Sequence, residues 1–128
     1  MNRNCYTLPY DKMRYETGGD YFFVAKDEMI EFNVVNLNDE GMELLILIHE
    51  IIEEYLTRKN KVTEEEIMKF DLIFEENRKE GDYDEPGFDK NCPYRKEHTI
   101  ATKIEKYIAK QLKINWKEYD KKIMSLEK

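Results

Sequence analysis

Leu44-Leu45-Ile46-Leu47-Ile48-His49-Glu50-Ile51-Ile52-Glu53-Glu54 is the stretch of this 128-residue chain that decides its fold. It reads as a helix that is apolar round most of its circumference, so protein has to cover it on more than one side. His49, Glu50 and Glu53 are set into that surface. Ionisable groups among aliphatic neighbours are costly unless they are paired, hydrogen-bonded or bound to a metal. His49 and Glu53 are one helical turn apart and project from one face, with Glu50 beside them. This is the geometry of H-E-x-x-H with a carboxylate in the second ligand place.

The flanking sequence sets the architecture. Residues 1–20 read as an irregular segment, with Gly18-Gly19-Asp20 as a turn. Tyr21-Phe22-Phe23-Val24 is rich in aromatic and β-branched residues, and Met29–Val35 alternates, with Ile30, Phe32 and Val34 on one face. Both read as strands of an antiparallel hairpin, with a third strand placed near Met13–Thr17. Asn38-Asp39-Glu40 offers cap chemistry for the central helix, expected over 42–58. Val62-Thr63-Glu64-Glu65-Glu66-Ile67 is a capping box with a hydrophobic staple, opening a helix over 64–78. Pro93 suits the first turn of a helix over 93–112, and Asn115-Trp116-Lys117-Glu118 opens a last one over 116–126. The expectation is a single α+β domain over 1–128, helix-dominated, with a small antiparallel sheet of two or three strands followed by about four helices. The helices at 64–78 and 93–112 should cover the sides of the central helix that the sheet leaves open. The long acidic loop at 79–92 is expected beside the His49 cluster, anchored by Tyr83 and Phe88.

Composition narrows the function. The net charge is −7 and charged residues are 38% of the chain. Residues 94–128 carry a surplus of five positive charges, which leaves a surplus of twelve negative charges on the first 93. Such a chain is not expected to be a general nucleic-acid binder. The longest apolar run, Leu44–Ile48, is far short of the ~20 residues of a membrane helix. Met1-Asn2-Arg3-Asn4-Cys5-Tyr6 does not read as a signal peptide, so a cytoplasmic location is expected. Cys5 and Cys92 read as two reduced thiols. Ser125 is the only serine, and no glycine-rich phosphate loop occurs.

The chain has two histidines, each next to a glutamate, as His49-Glu50 and Glu97-His98. If their helices pack side by side, His49, Glu53 and His98 can supply three ligands to one divalent metal. Two imidazoles and a carboxylate suit a catalytic zinc, which keeps a fourth position for water. Glu50 is then the general base on that water, or else a second ligand. Asp71, on the seam between Ile67 and Phe74, and Glu97 are the carboxylates expected to orient the imidazoles. The competing reading makes His49 a hydrogen-bonded core histidine and His98 a helix-start residue, in a non-catalytic protein that binds a host protein or a small ligand.

The order His-Glu-Ile-Ile-Glu at 49–53, Phe70-Asp71, Glu85-Pro86-Gly87-Phe88-Asp89, Pro93-Tyr94, Glu97-His98 and Trp116 resembles a group of short uncharacterised proteins of bacteriophages and prophages, from about Tyr21 to Tyr119. That resemblance implies a mobile-element origin, a host-cytoplasm location and no particular activity. The strand at 29–35 leading into the His49-Glu50 helix is similar to the core of zincin metallopeptidases. This similarity implies metal binding and metal-dependent hydrolysis, although Glu53 stands where the zincin pattern has its second histidine.

Overall fold

A computed structural model describes residues 1–79, 81–82 and 84–127. Three strands, β1 (Asn2–Leu8), β2 (Gly19–Val24) and β3 (Met29–Val35), form a sheet of order β1-β3-β2. Four helices follow: α1 (Glu40–Lys59), α2 (Glu64–Glu76), α3 (Arg95–Gln111) and α4 (Trp116–Met124). The α+β, helix-dominated class stands. None of the helices is long and apolar enough to cross a membrane, among the described residues.

The sheet departs from expectation in its third strand, and the segment 1–20, expected to be irregular, supplies that strand. β2 and β3 form the antiparallel hairpin, Tyr21 opposite Phe32. The third strand is β1, parallel to β3 with Cys5 opposite Phe32, so the sheet is mixed. The stretch at 13–17 is not a strand; it follows a single 3₁₀ turn at Tyr10–Lys12. Both edges of β3 are already taken, so no central place is left for it. Arg14 fastens this stretch instead. Its guanidinium makes a two-point bond to Asp20 (2.8 and 3.0 Å) and lies over the Phe22 ring. The central place of β3 also explains why Asn33 is buried, although alternation puts it on the polar face.

α1 starts where Asp39 accepts a hydrogen bond from the Met42 amide. The sheet packs on one side of it and α3 on another. Val34, Val35, Leu37, Leu45, Ile46 and Ala109 form the core between them. Tyr119 enters this core from α4, 1% exposed, with Trp116 edge-on against it. Burying so large an aromatic is what holds a nine-residue terminal helix in place.

α2 behaves differently. Its capping box forms as expected, Thr63 with Glu66. Yet none of its residues is fully buried, and Met68, Leu72 and Ile73 are exposed. The expectation that α2 seals a side of α1 is therefore corrected. α2 stands off from α1, and the space between them is a cleft.

Candidate metal centre

The side chains of His49, Glu53 and His98 meet between α1 and α3. His49 Nε2 lies 2.9 Å from Glu53 Oε2, His98 Nδ1 lies 2.8 Å from the same oxygen, and the two nitrogens are 3.1 Å apart. These three atoms form a nearly equilateral triangle. Three ligands of one tetrahedral zinc, each bonded at about 2.0–2.1 Å, stand roughly 3.3 Å from one another. The triangle needs to open by only about 0.2–0.5 Å to receive such an ion.

Each of the three residues is also held from behind. His49 Nδ1–H donates to Glu105 Oε1 at 2.8 Å. Glu105 is fixed in turn by the Tyr119 hydroxyl, which donates to Oε2 at 2.5 Å. His98 Nε2–H donates to Glu85 Oε2 at 3.0 Å. The Tyr21 hydroxyl donates to the second oxygen of Glu53 at 3.0 Å. A carboxylate on the far nitrogen fixes both tautomer and ring plane, and leaves the near nitrogen free to turn its lone pair to the centre. The His/Glu/His group can thus hold a metal ion.

Packing reinforces this orientation. Gly87 is buried flat against the His98 imidazole, so closely that a Cβ there would collide with the ring. The Phe88 ring meets the imidazole edge-on, with ring centroids 4.6 Å apart. The loop thus lies beside the cluster through Glu85, Gly87 and Phe88, while Tyr83 lies outside the described residues.

The electrostatics follow from burial. Burial alone would lower the His49 pKa, but the bonds to Glu105 and Glu53 outweigh it and raise it to about 11. For His98 burial is again opposed and overcome, by the bonds to Glu53 and Glu85, and it titrates at about 9. Glu53 is driven up by burial and held down more strongly by the two imidazoles. Without a metal, then, two imidazoliums point their N–H groups at one carboxylate oxygen.

Glu50 is the exception. Burial, and next the charge of Glu53, raise its carboxyl to about 8. It lines the cleft, and no hydrogen-bond donor reaches it among the described residues. Gly19 of β2 makes room for it: a Cβ there would stand 2.5 Å from Glu50 Oε1.

The outer carboxylates are not the expected ones. Asp71 accepts the Tyr94 hydroxyl at 2.5 Å instead of an imidazole N–H. Glu97 is buried, but the imidazole of its neighbour His98 bonds Glu53 and Glu85. Glu105 and Glu85 take the role, with Tyr21. Glu105 carried a readable signal, since it lies two helical turns after His98 on the same face. Glu85 carried none, because a loop residue's place depends on the course of the whole chain.

The cleft above the cluster has a volume of about 430 Å³. α1 and α3 line one side of it, α2 with residues 84–87 another, and the segment from Arg14 to Tyr21 a third. No known protein family, curated protein or solved structure matches the chain.

Proposed function

We propose that this protein is a divalent-metal-dependent hydrolase, with His49, Glu53 and His98 as metal ligands and Glu50 as general base. One observation carries the reading: each of the three ligand residues keeps one atom at the common centre and has its other polar atom tied to a separate partner. A core histidine needs one partner. It does not need a second histidine at 3.1 Å sharing the same carboxylate oxygen. Charge supports the reading as well, because a divalent ion replaces the two imidazole protons at the centre without changing the net charge of the cluster. The two-nitrogen, one-oxygen donor set favours zinc.

A bound divalent ion supplies Lewis-acid activation of water. The chain supplies the rest. Glu105 and Glu85 keep the imidazoles in place, so the ligands have only to spread slightly. Tyr21 holds Glu53 to a single coordinating oxygen. Glu50, which lines the cleft beside the cluster, would accept a proton from the attacking water and pass it to the leaving group. The cleft opens onto the cluster, because His49, Glu50, Glu53 and His98 are among the residues that line it.

The test is elemental analysis of protein produced without a histidine tag and dialysed against zinc. One zinc per chain is expected, with His98→Ala losing it and Glu50→Gln retaining it. Where a substrate is turned over, Glu50→Gln should lower kcat by a factor of roughly 10²–10⁴. A wild-type protein that leaves dialysis without zinc would refute the metal centre, and full turnover by Glu50→Gln would refute the base.

A further inference from the structure

The cleft carries information about what enters it. Ten carboxylate residues line it, from Glu16 and Asp20 through Glu50 and Asp71 to Glu85 and Glu105, against two arginines, Arg14 and Arg78. Both arginines already bond carboxylates, Arg14 with Asp20 and Arg78 with Glu75. Most of the acids have partners too: Glu53, Glu85 and Glu105 serve the imidazoles, and Glu64 accepts the Phe23 amide. Two carboxylates with unused acceptor capacity stand out, one on the α1 side and one on α2. Glu50, on the α1 side, is surrounded by protein and lines the cleft, with no hydrogen-bond donor among the described residues. Asp71, on α2, spends one oxygen on Tyr94 and keeps the other. Between them the walls are apolar, with Ile46, Ile67, Met68 and Leu72.

An aliphatic lining with under-used carboxylates at its depth fits a cation on a hydrocarbon stem. We infer that the cleft binds an alkylammonium or guanidinium group, the end of a Lys or Arg side chain or of a free polyamine, with Asp71 as the carboxylate that receives it. As the substrate class of the proposed hydrolase this rests on the metal-centre reading, but the binding itself does not require the metal. The aliphatic part of the stem covers apolar surface while the charged head meets the acid. An acidic peptide is disfavoured by the same field, because carboxylates outnumber the arginines and imidazoles that line the cleft.

Isothermal titration of the zinc-free and zinc-loaded wild-type protein tests this. Three probes are used: a capped hexapeptide Ala-Leu-Lys-Leu-Ala-Ala, the same peptide with Glu in place of Lys, and spermidine. The Lys peptide should bind both forms, with affinity falling as salt rises, and the Glu peptide should not bind. Asp71→Asn should weaken Lys-peptide binding about fivefold, with zinc stoichiometry unchanged. Spermidine binding as tightly as the Lys peptide would assign the site to free amines; binding of the peptide alone would assign it to peptide side chains. Equal binding of the Glu and Lys peptides, or no binding of either cationic probe, overturns the inference. The metal reading is judged separately by zinc content: a protein that holds zinc but ignores both cations keeps its metal centre and loses this substrate class.

Discussion

The two walls of the cleft are built on opposite terms. The α1–α3 wall buries Leu45, Ile46, Ala101 and Ala109 and sets the polar cluster inside that packing. The α2 wall buries none of its own residues, and it meets the rest of the protein mainly through the turn at Pro86–Phe88. All three candidate ligands belong to the packed wall, whereas Asp71 belongs to the loose one. The division makes physical sense. A ligand set must be fixed to within about 0.5 Å, and a packed interior does that. A wall that receives different guests gains from being able to move.

The sharpest way to break the comparison is to place the same charge on each wall. Leu45→Asp puts an unpaired carboxylate at a position that is 0% exposed, and should cost ~4 kcal/mol or more, enough to prevent folding. Leu72→Asp, at 57% exposure on α2, should shift stability by no more than about 0.5 kcal/mol. Urea denaturation followed by circular dichroism compares them. A folded Leu45→Asp protein would show that α1 is peripheral, and the centre built on its burial would go with it.

A second test compares carboxylates. Glu105→Gln keeps shape and an acceptor for Tyr119 but removes the charge behind His49, and should weaken zinc binding about 10–100-fold. Glu76→Gln, exposed near the end of α2, should leave zinc affinity where it was. Competition against a chromogenic chelator gives both numbers. Equal affinities would mean that the Glu105 bond only fills space.

The smallest effect is a matter of pH. Burial raises the Asp71 carboxyl from its ordinary 3.8 to about 6, although the bond from Tyr94 opposes the rise. The folded protein therefore keeps a proton that the unfolded chain gives up. The stabilisation this provides is complete below pH 3.8 and fades as pH climbs to about 6. Asp71→Asn should remove that decline, so the difference between the wild-type and variant stability curves should grow across this window. Parallel curves would place Asp71 in open water.

Much of this was legible in the chain, and the gaps have physical causes. Helix α1, the Thr63–Glu66 box, the β2–β3 hairpin and the convergence of His49, Glu53 and His98 follow from local periodicity and from the scarcity of histidine. β1 left no such trace. Six of its seven residues are exposed, so Asn2–Leu8 shows no apolar alternation, and only pairing with β3 makes it a strand. The apolar residues of α2 misled in the opposite sense, because a hydrophobic stripe at helical spacing does not say whether its partner is a core or an opening. Glu97 was chosen for its nearness to His98 in sequence, yet neighbours on a helix point about 100° apart, and Glu105 is the one that shares the face.

The bond from Tyr119 to Glu105, and from Glu105 to His49, ties the plane of one imidazole to the docking of α4. A hydroxyl bonded only to the carboxylate behind the ring thus helps to aim it, and the cluster inherits the steadiness, or the looseness, of a helix outside it.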